Sequence, residues 1–305
     1  MAAITLADLK GNRKRLRKEA AVRAVLFLAA GFSILVSVGI VVALVGRAVS
    51  FLADVDTATL WSDNWAPRSE QFSIKALLSG TLVVTGVAML IAVPLGLGSA
   101  IYLSEYAKPR VRRTLKPILE VLAGIPSVVL GFFCVSFLSP NLVQPLFDSA
   151  GTFSLLAAGL GVGILSIPLV ASVSEDAMRA VPLSLREASY GLGARKITTS
   201  LRVVVPAAVS GLVAALILAV SRAIGETMVV LLAAGSANAS QFTVNPFEEG
   251  LTMTAAIASQ IRGSDAGVSE LVINSLYFVG LVLFVITLCL NVVAERFVRR
   301  VRQTY

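Results

Sequence analysis

Residues 175–202 read EDAMRAVPLSLREASYGLGARKITTSLR, a polar interval between two long apolar runs. Pro182 suits the first turn of a helix, where its missing amide hydrogen has no partner to lose. Gly191 and Gly193 suit the far end, where a residue of positive φ closes the turn. Between them stands about two turns of helix, with Arg186 and Glu187 beside Leu183, Leu185 and Ala188. A short, charged, capped helix belongs in water, so the apolar runs on either side of it must reach the same face of whatever they cross. On spacing alone, a plain solvated turn explains the segment equally well.

The rest of the chain says what is crossed. Of its 305 residues 56% are hydrophobic and 14% charged, the balance of a polytopic membrane protein. A helix needs about 20 apolar residues to span the hydrocarbon core, and six stretches qualify. They run from Ala24 to Val45, Ala76 to Leu103, Ile118 to Leu138, Phe153 to Ser174, Ala207 to Ala234 and Leu271 to Ala294. The fold class expected is therefore all-α, a polytopic membrane protein with six transmembrane helices. The first run is too long for a secretory h-region of about 7 to 15 residues.

Net charge is +8, and the positions of the charges explain it. All but five of the 26 basic residues precede span one or follow spans two, four and six; the exceptions are Arg47, Arg68, Lys75, Arg222 and Arg262. By the positive-inside rule both termini are cytoplasmic, and the basic excess marks the inner membrane face rather than a nucleic-acid surface. The chain divides into a basic tail (1–23), a first helix with its outer loop (24–75), a core (76–294) containing the inner loop 175–206, and a second basic tail (295–305). In the outer loop Trp61 and Trp65 suit the headgroup level. Another outer segment, Ser236 to Glu270, is too long for a tight turn, and its GLTMTAAIASQ suits a short helix against the membrane. Asn238, Ala239 and Ser240 match a glycosylation acceptor only at the level of a three-residue motif.

Catalytic chemistry is poorly provided for. There is no histidine, and Cys134 and Cys289 lie far apart within apolar runs, so neither a metal cluster nor a disulfide framework is expected. No Gly-x-x-x-x-Gly-Lys-Ser/Thr phosphate loop occurs. No cofactor is expected, and energy for any active process must come from a partner.

The inner loop supplies a resemblance. Glu187, Ala188, Gly193 and Pro206 fall at the spacing of the EAA loop of ABC importer permeases, with Ser189 at the third position and Val203, Val204, Val205 before the proline. These departures leave helix, turn and proline break intact. In that family the loop carries the coupling helix, which sits in a groove of a cytoplasmic ATPase subunit. The resemblance therefore assigns ATPase coupling to Arg186, Glu187, Ala188, Gly193 and Pro206, and implies the type I ABC importer permease fold.

Within span five, SRAIGETMVV (221–230) places Arg222 near the middle of an apolar run and Glu226 one turn beyond it. A central arginine costs about 2.5–3.5 kcal/mol on insertion scales, so something must compensate. Residues four apart share a helix face, so the two are able to pair. A buried ion pair holding helices together is one explanation. If stability alone were at stake, however, an apolar pair would serve as well, and intramembrane charge defaults to a substrate pathway. A guanidinium offers planar donors matched to phosphate oxygens, while Glu226 would accept a hydrogen bond from a protonated oxyanion and repel a fully ionised one. Thr227 adds a hydroxyl, with bonding to its own helix as the plainer role. Pro94, Pro126 and Pro168 each remove a backbone hydrogen bond and can kink their spans, and Ser127 and Ser166, near two of them, complete the candidate path. Glu120, four residues after Lys116, reads as an interfacial ion pair.

SRAIGETMVV, with AIYLSEYAKPRVRR (100–113) and EVLAGIPSVVLGFF (120–133), resembles the phosphate-specific permeases of the PstC type, and the similarity runs from about Phe72 to the C-terminus. That resemblance implies a non-catalytic, multi-pass cell-membrane subunit forming half of a path for inorganic phosphate. It also implies a PstA-type permease, a PstB-type ATPase dimer and an external PstS-type phosphate-binding protein as partners. A PstA-type sister, a permease for molybdate or sulfate, and a stand-alone ion-coupled transporter or channel remain as alternatives at this point, with a signalling role as a possible addition.

Overall fold

The computed structural model describes residues 13–235, 240–262 and 269–301, and helices dominate it. Helix α1 (Arg13–Asp54, 42 residues) is about 63 Å long at 1.5 Å per residue, about twice a hydrocarbon core. It meets the bundle near its C-terminal end, where Ala48 and Phe51 are buried and Arg47 reaches Asn274 and Glu270. Helix α2 (Ile74–Tyr106) starts at Ser73, whose hydroxyl accepts from Ala76 N–H, the side-chain cap expected of serine. Helices α3 (Pro109–Ala123) and α4 (Ser127–Leu146) follow. Then α5 (Leu155–Arg179) begins on a second serine cap, Ser154 to Ala157 N–H.

Beyond α5 come α6 (Leu183–Gly191), α7 (Lys196–Ala207) and α8 (Val209–Ile224). They are followed by α9 (Met228–Ala233), α10 (Met253–Arg262) and α11 (Glu270–Val301). Among the described residues α1, α2, α4, α5 and α11 are each long and apolar enough to cross a membrane, and the pair α7–α8, bent by 72°, supplies a sixth span.

Two spans differ from their expected form. The third does not run from Ile118 to Leu138: Gly124 ends α3, and Pro126 takes an extended conformation before α4 starts at Ser127. Proline lacks the amide hydrogen that would join the two pieces. Helix α3, with basic residues on one side and leucines on the other, buries none of its own residues. The fifth span is also interrupted, because α8 stops at Ile224 and α9 begins at Met228.

The core is closed by small residues. On α5, a Cβ at Gly159 would lie 2.6 Å from Val87 of α2, and one at Gly163 3.1 Å from the Ala88 carbonyl; on α2, one at Gly96 would lie 2.6 Å from Val170. Lipid tails are as apolar as the helices, so close backbone approach and dispersion, not water exclusion, drive this packing.

The outer face carries structure that the apolar pattern did not announce. Strands β1 (Asn64–Ala66), β2 (Gln71–Phe72) and β3 (Ser240–Gln241) form an antiparallel sheet in the order β2-β1-β3. It ties the loop after α1 to the segment after α9. Trp65 lies in this sheet, buried against Phe72, whereas Trp61 is exposed; only Trp61 is free to act as an interfacial anchor. Asn238 and Ala239 of the glycosylation motif lie outside the described residues. The short helix within GLTMTAAIASQ forms as α10, with its apolar residues packed into the bundle. Leu251, Met253, Ala255 and Ala256 are buried, and Leu251 presses its carbonyl against Gly80 of α2, where a Cβ would lie 2.3 Å away. The segment re-enters the bundle.

Candidate functional site

The interruption in the fifth span brings the charged residues of SRAIGETMVV to a helix end. Arg222 occupies the last turn of α8, where a cation faces the negative end of the helix dipole. Its side chain is exposed, and among the described residues it has no ion-pair partner. Glu226 lies beyond the Gly225 cap, off the α8 face that Arg222 shares, so the two do not pair as the helical spacing suggested. The Glu226 carboxylate instead accepts from Val229 N–H at 3.4 Å, in the first turn of α9, and the Glu226 carbonyl accepts from Thr254 Oγ1 of α10 at 2.6 Å. Thr227 donates to the Gly225 carbonyl at 3.2 Å, the backbone-bonded role expected of it. Neighbouring Ser221 reaches Asn291 of α11 at 3.2 Å.

Helix α4 runs against α9. A Cβ on Gly131 would lie 2.9 Å from Leu232 and 3.1 Å from the Met228 carbonyl, so only glycine allows this approach. Ser127, four residues earlier and on the same face, is half-buried at the start of α4. Two interrupted spans thus meet, with Ser127, Glu226, Thr227 and Arg222 around the interruptions. Ser166 is different: it is fully buried on α5 and donates to its own helix at Val162, 2.8 Å away.

The inner loop divides its residues between outside and inside. Pro182 sits at the N-cap of α6, one residue ahead of the first turn, and Gly193 has φ +77°, the left-handed turn that glycine adopts without strain. Glu187, Ala188 and Gly193 are exposed, and so are Leu183, Tyr190, Ile197 and Leu192, the last at 90%. Pro206 stands two residues before Ala208, where the chain turns through 72° from α7 into α8. Arg186 points the other way. Its guanidinium donates to the carbonyls of Val181 (2.6 Å) and Met178 (2.9 Å), and pairs with Glu105 of α2 at 3.1 Å, with only 15% and 4% of the two side chains exposed. Lys196 lies over the Tyr106 ring, 4.9 Å from its centre.

A second cluster, which sequence reasoning missed, closes the inner side. Glu175 on α5 is completely buried and meets Lys116 at 2.8 Å, Arg179 at 3.6 Å and Arg112 at 3.9 Å, while Lys116 also bonds Asp176. Lys116 therefore pairs with α5 and not with Glu120, which is exposed and has no ion pair among the described residues. Burial pushes the Lys116 ammonium down, but its bonds to Asp176 and Glu175 outweigh burial and leave its pKa above the ordinary lysine value. The signal available in the sequence was the run of basic residues 108–116, with nothing to indicate its partner. No group of metal-ligating side chains occurs among the described residues.

A family model described as "Binding-protein-dependent transport system inner membrane component" matches residues 92–303. The chain belongs to this family. The permease is 34% identical over 281 residues to the phosphate transport system permease protein PstC of Mesorhizobium japonicum, covering 86% of this chain and 84% of that one. It is 31% identical over 268 residues to the probable PstC of Methanocaldococcus jannaschii, covering 82% of each. Within its family the permease therefore sits with the PstC type. Among solved structures it matches a bacterial ABC transporter that imports the acidic polysaccharide alginate, with a TM-score of 0.66 at 16% identity, over 95% of this chain and 99% of that one. That likeness shows the fold, the all-α, multi-pass type I ABC importer permease fold.

Proposed function

We propose that this chain is the transmembrane permease subunit of an ATP-driven importer of inorganic phosphate, supplying half of the translocation path. The observation that carries the reading is an exposed guanidinium without an ion-pair partner among the described residues, Arg222, held at the end of an interrupted membrane helix. An isolated charge at that depth is costly and has no structural return, whereas planar N–H donors match phosphate oxygens. The PstC names of the relatives point to the same anion.

Arg222 would greet the anion, with Glu226, Thr227 and Ser127 lining the path beside it. Glu226 favours an oxyanion that keeps a proton near neutral pH, as phosphate does, over one that does not. Ser166 has no part in this path, since its hydroxyl is buried and already bonded. Exposed Glu187, Ala188 and Gly193, with the apolar side chains around them, form the contact for an ATPase subunit, and Pro206 sets the bend that follows. The partners are a PstA-type permease, a PstB-type ATPase dimer that hydrolyses the ATP, and an external PstS-type binding protein. Both termini lie in the cytoplasm, on the side where the basic residues gather.

The test is phosphate uptake into proteoliposomes holding the full assembly, with ATP and binding protein supplied. Arg222→Gln is expected to lower uptake by about two orders of magnitude or more, the loss of a charge-assisted contact of roughly 3 kcal/mol, while assembly and ATP hydrolysis persist. Unchanged uptake would remove Arg222 from the path. Glu226→Gln is expected to narrow the preference for phosphate over sulfate in competition assays; an unaltered preference and rate would reject its selective role.

A further inference from the structure

Helix α2 is held at both ends by the two parts of the molecule that an importer has to connect. At its inner end, consecutive residues Glu105 and Tyr106 are gripped by two cations of the inner loop: Arg186 bonds Glu105 at 3.1 Å, and Lys196 stacks over Tyr106 at 4.9 Å. Arg186 also holds the Met178 and Val181 carbonyls, so α6 cannot shift without carrying the ends of α2 and α5 with it. At the outer end, Thr81 accepts a hydrogen bond from Met253 N–H at 3.1 Å, and Gly80 lies hard against the Leu251 carbonyl. One residue past Met253, Thr254 donates to the Glu226 carbonyl at 2.6 Å. That bond fixes the backbone at the interruption, where residues 225–227 lie between the end of α8 and the start of α9.

We propose that α2 is a strut that carries displacement of α6 to the Gly225–Thr227 interruption, with Arg186 and Glu105 as positioning residues at one end and Thr81 and Thr254 at the other. This rests on the importer reading, in which α6 is moved by an ATPase. Helix α2 runs without a break from Ile74 to Tyr106, with one backbone bond missing at Pro94, so displacement of one end reaches the other, and close-packed interfaces such as Gly80 against Leu251 shift between discrete arrangements rather than deform. Arg186 thereby differs from Glu187: it works inward, on α2, and not on the ATPase surface.

The strut is tested in the full assembly by a cysteine at the interruption, Thr227→Cys in a Cys289→Ser background, labelled with a water-soluble thiol reagent in the resting and the nucleotide-trapped states. Trapping is expected to change the labelling rate by roughly fivefold or more. Thr254→Val and Glu105→Gln should each abolish that change while the ATPase subunit still co-purifies and hydrolyses ATP, and Thr254→Ser, which keeps the hydroxyl, should preserve it. A labelling rate that ignores nucleotide in the otherwise native chain, or a change that persists in both variants, overturns the strut. This readout does not depend on the anion. Phosphate uptake in proteoliposomes holding the native chain tests the substrate assignment separately: no phosphate uptake there, with a nucleotide-dependent labelling change in the cysteine variant, rejects the anion and keeps the strut.

Discussion

Glu175 and Arg222 are both charges within membrane-crossing segments, and the protein treats them in opposite ways. Glu175 is completely buried and is met by Lys116, Arg112 and Arg179. Arg222 is exposed, with no ion pair among the described residues. The first arrangement satisfies its charge within the chain and clamps α3 to α5. The second leaves the guanidinium N–H donors of Arg222 without an ion-pair partner among the described residues. Charge is thus answered by the fold at Glu175 and left unanswered at Arg222, the contrast on which the proposed role of Arg222 rests.

The largest expected effect breaks the clamp. Glu175→Gln leaves Lys116 and Arg112 without their buried counter-charge and should destabilise the detergent-solubilised assembly by about 3 kcal/mol, seen as a clear drop in its melting temperature. Arg222→Gln, which removes a charge without an ion-pair partner among the described residues, should not lower that temperature. Equal losses for both variants would erase the distinction between the two charges.

Next in size is a steric test on the outer side. Gly80→Ala places a Cβ against the Leu251 carbonyl, a backbone atom that cannot rotate away, and should cost roughly 1–3 kcal/mol. The same melting measurement checks it. An undisturbed Gly80→Ala protein would mean that the re-entrant segment is free to retreat.

The smallest effect concerns pH. Lys116 has its folded pKa raised, so its stabilising contribution is fully present below the ordinary lysine value of about 10.4 and is lost as pH rises through the folded pKa. The stability gap between the native chain and Lys116→Gln should stay constant from neutral pH to about pH 9 and close only in stronger alkali. A gap that already narrows near pH 8 would show that the clamp does not depend on the ammonium.

Much of the architecture could be read without coordinates, because hydrocarbon imposes a simple rule: about 20 apolar residues for each crossing, with charged residues left to the loops. Helix α6 with its positive-φ glycine was legible for a similarly local reason, since Pro182 and Gly193 act on the few residues beside them. The interruptions were not. Pro126 read as a kink and proved a full break, and Gly225 gave no warning, because hydropathy averages over a window longer than three residues. The outer sheet was invisible because its strands are two or three residues long, too short for a period-2 pattern to register.

For the candidate site the division is sharper. Composition and spacing alone determined that this is a six-span helical membrane protein, that its basic residues gather on one side of the spans, where the short helix between spans four and five lies, and which few polar residues enter apolar runs. Those are properties of single segments in a uniform solvent. Only the tertiary structure decided which charges are answered: that Arg222 and Glu226 part across a helix break, that Arg186 turns inward to Glu105, and that Lys116 finds Glu175 rather than Glu120. Each of these depends on a partner far away in the chain, and ion pairs and hydrogen bonds a few ångströms long are set by where the packed helices bring those partners, which no local pattern encodes.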